Sequence, residues 1–432
     1  MDGARAVWLH TFGCKTNQYD TERMRQELEA RGARIVDASS DADTAVLNTC
    51  TVTSRADATA RRLVRKLGRE RPGIRVVVAG CSSALQSPTY EAMDGVVGVV
   101  RGHDPLEVAA AAAPEEGLAI RDEEAIGGEL LRANERGTRG WLKIQDGCDR
   151  KCSFCATRLA RGASRSRSAA DIVAEARLLS AVHPEIVLTG IHIGHYGRDL
   201  DPPTSLARLC ARLLDEVPDV RFRLGSIEAT EIDDALLDLL ASPGGALAPH
   251  LHVPLQSGSD PVLRRMRRWH TREAYRARIL EIAARVTPLG LGADVIAGFP
   301  GETDADHRRT LELIEELPYT YLHVFPWSPR DGTAAATLDG RVPQRIAGAR
   351  ARELRELGVE KGRAYAVSRI GGRARVVVET GAMGLTGDYL RVRVTGEQPG
   401  SLVDLRLGGT AEAGLHAGRA AGRALPVLQA SE

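Results

Sequence analysis

This chain is expected to fold as an α/β protein in three parts: an amino-terminal doubly wound parallel sheet over residues 4–115, a central incomplete (β/α)6 barrel over 136–362, and a small antiparallel β-barrel over 366–432. Strand-like apolar runs alternate with helical patterns through the first two parts, the order of parallel strands joined by crossover helices. Past Ala366 the period changes to alternation between Gly-rich turns, the pattern of short antiparallel strands. Six of the seven cysteines fall where these patterns place loops, so chemistry is expected at strand ends.

A chain of 432 residues can bury more than one core. Its 58 basic and 57 acidic residues leave a net charge of +1, so any nucleic-acid surface must be a local patch. No charged-then-apolar leader opens the sequence, and no run approaches the ~20 apolar residues of a membrane span. A cytoplasmic protein without a membrane partner is therefore expected. In a reducing compartment, cysteines serve as metal ligands or free thiols in preference to disulfides.

In the first part, Ala6-Val7-Trp8-Leu9-His10, Thr44-Ala45-Val46-Leu47-Asn48 and Val76-Val77-Val78-Ala79 read as strands, and a helical pattern runs from Asn17 to Arg31. Doubly wound sheets bind ligands beyond the carboxyl ends of their strands. Cys14, Cys50 and Cys81 each sit just past such an end, so three residues distant in sequence are expected to meet on one sheet edge and hold a metal cluster. Taken singly, each reads more simply as a small apolar core cysteine. The helix after Cys50 is crowded with Arg55, Arg61, Arg62, Arg65, Lys66, Arg69 and Arg71, which read as a solvated face. Residues 112–135 read as an acidic, Gly-containing linker.

Six strands are expected in the second part: Trp141 to Gln145, Glu185 to Thr189, Val220 to Gly225, His250 to Pro254, Gly292 to Ala297 and Tyr321 to Phe325. The loop after the first is Gly147-Cys148-Asp149-Arg150-Lys151-Cys152-Ser153-Phe154-Cys155, and its CxxxCxxC spacing gathers three thiolates with no evident fourth partner. Structural zinc takes a closed set of four ligands, whereas three thiolates suit an iron–sulfur cluster with one open iron; a zinc knuckle is the alternative. Later strand ends carry Thr189-Gly190, Ser226-Ile227-Glu228, Pro254-Leu255-Gln256-Ser257-Gly258-Ser259 and Gly298-Phe299-Pro300-Gly301-Glu302-Thr303. Gly190 permits close backbone approach, and Thr303 also suits a helix N-cap. Cys210 lies in an amphipathic helix and reads as core. His192, His195, His250 and His252 read as satisfied histidines near strand ends, and Arg264, Arg265, Arg267 and Arg268 beside Trp269 as a solvated helix face.

Strands of the third part are expected at Arg375-Val376-Val377-Val378-Glu379, Tyr389-Leu390-Arg391-Val392-Arg393-Val394 and Ser401 to Leu407. Arg391 and Arg393 share a face opposite the apolar residues, and small barrels of this kind bind single-stranded or looped RNA.

CxxxCxxC with Phe154 before its last cysteine resembles the signature of radical S-adenosylmethionine enzymes, and the flanking chain resembles their methylthiotransferase branch. Thr11-Phe12-Gly13-Cys14-Lys15-Thr16-Asn17-Gln18, Asn48-Thr49-Cys50 and Gly80-Cys81 look like the motifs of its amino-terminal domain, and Gly384-Leu385-Thr386-Gly387-Asp388-Tyr389-Leu390 resembles its RNA-binding TRAM module. Arg161-Gly162 and Ser164-Arg165-Ser166-Arg167 resemble the basic segment after the cluster loop. The sequence departs from the pattern at Ser82-Ser83, at Thr157-Arg158 where Ile-Pro is usual, and at Asp388 where Asn is usual. The resemblance implies two [4Fe–4S] clusters. One, on Cys148, Cys152 and Cys155, chelates S-adenosylmethionine through its open iron; the auxiliary one, on Cys14, Cys50 and Cys81, carries the sulfur. It also implies cofactor contacts at Gly190, Glu228 and Gln256. The implied reaction places a methylthio group on C2 of an adenine in the tRNA anticodon loop. One S-adenosylmethionine methylates the sulfur and another yields the hydrogen-abstracting radical, with an electron donor and a sulfur source as further partners. Thr11 to Asp20 with Leu188-Thr189-Gly190-Ile191-His192 look closest to the branch acting on N6-threonylcarbamoyladenosine at tRNA position 37. The isopentenyladenosine branch and the branch acting on a ribosomal-protein aspartate share the fold and clusters. A zinc-dependent RNA-binding protein without catalysis is the alternative of another class.

Overall fold

The structure, a computed structural model, describes residues 5–113, 130–135, 137–410 and 414–418; most of the expected linker lies outside them. The first part is built from β1 (Ala6–Thr11), α1 (Lys15–Ala30), β2 (Arg34–Val36), β3 (Thr44–Thr49), α2 (Ser54–Glu70), β4 (Arg75–Gly80), α3 (Cys81–Glu91), β5 (Val96–Val99) and α4 (Pro105–Ala112). Its sheet is parallel in the order β2-β1-β3-β4-β5, as the alternation predicts. Helices cover both faces, so the central strands read as unbroken apolar runs: Val7, Leu9, Val46 and Val77 pack on one side, Ala45, Leu47, Val76 and Val78 on the other. Helix starts are set locally. Thr53 accepts the Ala56 N–H, and Asp104 accepts those of Leu106 and Glu107 with Pro105 in the first turn.

The second part contains β6 (Gly140–Lys143), β7 (Gln145–Asp146), α5 (Thr157–Arg161), β8 (Arg165–Ser166), β9 (Glu185–Thr189), β10 (Arg221–Leu224), β11 (His250–His252), β12 (Gly290–Ala297) and β13 (Tyr321–Pro326). Two parallel sheets, β6-β9-β10 and β11-β12-β13, meet through a bridge between Ser226 and His252 and make a partial barrel with β6 and β13 at its edges. Residues alternate along each strand. Leu142, Ile186, Leu188, Phe222, Leu224, Leu251, Leu291 and Val295 pack outward beneath the helices, with Cys210 in the same core. The opposite, inward series is polar: Lys143, Glu185, Thr189, Arg221, Arg223, His250, His252, Asp294, Tyr321 and His323.

A helix over Gln344–Ser368 leads into a closed barrel of five strands, β14 (Arg373–Glu379), β15 (Met383–Thr386), β16 (Arg391–Val394), β17 (Leu402–Thr410) and β18 (Gly414–Gly418), ordered β14-β15-β16-β18-β17. The sequence pattern predicts three strands; β15 and β18 are short and Gly-containing, which hides their alternation. Arg391 and Arg393 are exposed on one face of β16, as expected. The turn after β15 does something the sequence does not announce. Buried Arg221 donates to the carbonyls of Arg375 (2.5 Å) and Leu385 (3.1 Å), Arg223 to those of Gly387 (2.8 Å) and Thr386 (2.9 Å), and the Tyr389 ring stacks 4.2 Å from His250. This turn therefore plugs the end of the central barrel opposite the cysteine loop. Asp388 is used within the protein, accepting from Arg369 Nε (2.6 Å) and Tyr365 (2.7 Å). Among the described residues, no helix is long and apolar enough to cross a membrane.

Candidate functional site

Cys14 precedes α1, Cys50 follows β3 and Cys81 opens α3, so three loops converge at the carboxyl edge of the first sheet. Gly13 makes this possible: it sits at φ +97°, and a Cβ there would lie 2.6 Å from the Cys50 side chain. The thiols of Cys14 and Cys81 each lie 3.9 Å from one atom, Asn17 Oδ1. The trio expected to meet does meet.

The loop of Cys148, Cys152 and Cys155 lies at the mouth of the partial barrel. Gly147, at φ +71°, turns the chain where a Cβ would strike the Ala163 carbonyl, and Phe154 anchors the loop edge-to-face against Phe299, 6.5 Å between rings. Ser153 is bonded through its N–H to Met266 O (3.0 Å) and through its hydroxyl to Arg265 O (2.7 Å).

One segment joins the two trios. Cys148 N–H donates to Gly162 O (3.0 Å), and the neighbouring Arg161, at the end of α5, donates through Nε to Cys81 Sγ (3.2 Å). Arg161 is buried and also contacts Asn17 Oδ1 (2.7 Å), Asp20 (2.7 Å) and both oxygens of Asp146 (3.0 Å). Lys143 bridges the same two carboxylates at 2.6 and 3.2 Å. Burial alone would raise Asp146; the His103 hydrogen bond, Lys143 and Arg161 outweigh it and hold the carboxyl far below the usual range. A second buried arginine, Arg330 after β13, pairs with Asp57 at 2.5 Å and bonds Thr51 beside Cys50. The Arg161–Gly162 segment thus closes onto the first domain despite lacking the usual Ile-Pro.

Among the described residues, three potential ligand atoms lie mutually within 4.8 Å only at His192, His195 and Glu231 and at His252, Asp294 and His323; neither cysteine trio is drawn that close. Thiolates sharing one tetrahedral zinc lie about 3.8 Å apart. Neither cysteine trio is that compact. Burial pushes the Cys81 thiol up to about 12 and those of Cys50 and Cys148 up to about 11, so thiolates there need positive charge beside them.

Around the second trio, Arg268 donates to Cys152 Sγ (3.6 Å) and Glu228 (2.5 Å), while His192 Nδ1 lies 3.6 Å from Cys148 Sγ and its Nε2 2.8 Å from Glu231. The sequence reads Arg268 as part of a solvated face; its side chain is only 3% exposed. Arg267, at φ +56°, turns the chain and directs its neighbour inward. Gln256 is another residue in the left-handed region, at φ +65°, with its backbone tied to Asp294 and Ile296. A non-glycine residue held there marks a site whose surroundings impose its shape. Glu228 is buried, and burial raises its pKa against the pull of Arg268. Gly190 is approached closely by protein: a Cβ would lie 2.7 Å from Gln145 O, and its carbonyl accepts the Thr16 hydroxyl of α1 at 3.3 Å. Thr303 is an N-cap with a full capping box.

Residues 6–102 match a family described as Uncharacterized protein family UPF0004, and residues 142–314 match the Radical SAM superfamily. A threonylcarbamoyladenosine tRNA methylthiotransferase of Rickettsia prowazekii is 34% identical over 89% of this chain and 90% of that protein. This chain belongs to the radical S-adenosylmethionine methylthiotransferases. A second such relative, from Bacillus subtilis, is 36% identical over 83% of this chain and 82% of its own length. A tRNA-2-methylthio-N(6)-dimethylallyladenosine synthase of Cereibacter sphaeroides is 33% identical over 94% and 100%. Among solved structures, the radical S-adenosylmethionine methyltransferase TsrM of Kitasatospora setae shares the fold, with a TM-score of 0.55 and 17% identity over 77% of this chain and 75% of that one. As a methylthiotransferase of this family, the enzyme works with [4Fe–4S] clusters and S-adenosylmethionine.

Proposed function

We propose that this methylthiotransferase converts N6-threonylcarbamoyladenosine at position 37 of tRNA to its 2-methylthio derivative, with one [4Fe–4S] cluster on Cys148, Cys152 and Cys155 and a second on Cys14, Cys50 and Cys81. The observation that carries the two-cluster reading is the hydrogen bond from Arg161 to Cys81: the helix that follows one trio ends on a ligand of the other. When bound, the first cluster with S-adenosylmethionine supplies the radical, and the second supplies the sulfur. The chain's own residues do the positioning. Arg161 and Arg330 clamp the first domain to the barrel mouth, so the substrate carbon is confined between the trios. Arg268 links Cys152 to Glu228, and Glu228, Gln256 and the backbone at Gly190 are the cofactor contacts we assign. The anticodon loop of tRNA is the partner, with an electron donor and a sulfur source completing turnover in the cytoplasm.

The test is a reaction of reconstituted enzyme with anticodon stem-loops carrying either threonylcarbamoyl- or dimethylallyl-adenosine, followed by mass spectrometry of the nucleosides. Methylthiolation of the first supports the assignment. Methylthiolation of the second alone assigns the enzyme to the other branch.

A further inference from the structure

Lys15 follows the ligand Cys14 directly, yet its ammonium points away from the sheet edge into the partial barrel. Nζ lies 5.8 Å from the ring centres of both Trp141, on β6, and Tyr389, in the plugging turn. The residue is half-buried. Among the described residues, no carboxylate or carbonyl lies within bonding distance of Nζ.

The surroundings make this ammonium unusual. The acid that faces it, Glu185, is taken by Arg221 (2.5 Å), Arg223 (2.9 Å) and Arg139 (3.7 Å), and Arg139 is shared with Glu379 (3.2 Å). Four cations, counting Lys15, thus face two carboxylates. A cleft of about 550 Å³ lies between the three domains, lined by His10, Arg139, Trp141 and Arg391 among others. It is lined by Trp141, whose ring faces Lys15, and by Arg139.

We propose that Lys15 is a specificity-determining residue that forms an ion pair with a carboxylate carried by the N6 substituent of the substrate adenine. The inference rests on the threonylcarbamoyl reading above and names the group that enforces it. C2 and the carbon bearing N6 both adjoin N1 of the purine, so a base held with C2 facing a cluster on Cys14 presents its N6 substituent within reach of the next residue. A threonylcarbamoyl group ends in a carboxylate; a dimethylallyl group has nothing to offer an ammonium. Trp141 and Tyr389 flank the position, and their low-dielectric ring faces strengthen an ion pair beside them.

The test uses reconstituted wild-type enzyme, Lys15→Gln and Lys15→Arg on three stem-loops: threonylcarbamoyladenosine, its carboxylate methyl ester, and dimethylallyladenosine. Methylthio product, 5′-deoxyadenosine and iron per chain are measured. Wild type is expected to prefer the free acid over the ester by roughly 10- to 100-fold in kcat/KM, the worth of one charge-assisted contact. Lys15→Gln is expected to lose that preference mainly through KM while keeping its iron, and Lys15→Arg to restore part of it. Wild type that does not distinguish acid from ester, or Lys15→Gln that distinguishes them as wild type does, overturns the proposal alone. Wild type that acts on the dimethylallyl RNA but not on the free acid overturns the substrate reading and the Lys15 proposal together.

Discussion

Arg161 carries more of the site than any other single side chain outside the cysteines. It is a fully buried guanidinium with its five donors spread over Asp20, Asp146, Asn17 and Cys81, so it links two domains and touches a thiol of the first trio at once. Removing one member of such a buried network leaves uncompensated charge and costs about 3–5 kcal/mol. Arg161→Ala should lose that much in anaerobic denaturant unfolding, leaving Asp20 with Lys143 and Asp146 with Lys143 and His103. Arg161→Lys keeps the charge but not the planar fork, and should fall between the two. None of this is visible in Arg-Leu-Ala-Arg-Gly. The placement of the cysteines was legible because each trio lies just past strand ends that the sequence pattern marks. Arg161, Arg268 and Lys15 were not, because a buried arginine or lysine is written like a solvated one until long-range partners are known.

At the scale of elements, the partial barrel inverts the usual arrangement: its strands turn their apolar series outward to the helices and a polar series inward. The alternation in Arg-Phe-Arg-Leu and His-Leu-His was legible as strand, and its polar half reads as inner face only once the helices are seen to cover the apolar half. Glu185 binds this interior together. Arg221, Arg223 and Arg139 overcome its burial and hold it ionised far below the usual carboxylate range. Glu185→Gln leaves clustered guanidiniums unpaired and should destabilise by about 3–5 kcal/mol in the same unfolding assay. His250, between Tyr321 and Tyr389, behaves oppositely. Burial first, then Arg223 and Lys15, hold it neutral well below the ordinary histidine pKa of 6.5. Its folded pKa is depressed, so as pH falls below about 6.5 the unfolded chain takes up a proton that the folded chain refuses. That contribution is complete above pH 6.5 and declines on acidification. His270, lowered to about 4 by burial and Arg268, acts in the same direction. Thermal midpoints should therefore drop from pH 7 to pH 5, and His250→Gln should flatten part of the drop.

Across the whole molecule, each of three domains supplies something distinct: a thiol trio with Lys15, a second trio at a barrel mouth, and a β-barrel that both plugs the barrel floor and shows Arg391 and Arg393 to solvent. With a net charge of only +1, RNA affinity must come from such local groups. Replacing Arg391 and Arg393 with Ala is expected to weaken tRNA binding and to flatten the slope of log K against log salt by about 0.7 for each single-strand phosphate no longer neutralised. The order of the three domains was legible from period changes along the chain. The plugging turn was not, because its role depends on carbonyl groups that any sequence supplies. The account stands on two separate clusters, and iron per chain in two triple variants tests it most directly. Wild type should reconstitute with about eight irons, and Cys→Ala at 14, 50 and 81 with about four, retaining cleavage of S-adenosylmethionine but forming no methylthio product; Cys→Ala at 148, 152 and 155 should keep about four and lose the cleavage. If the first variant still holds eight irons, or still makes methylthioadenosine in tRNA, the account is contradicted.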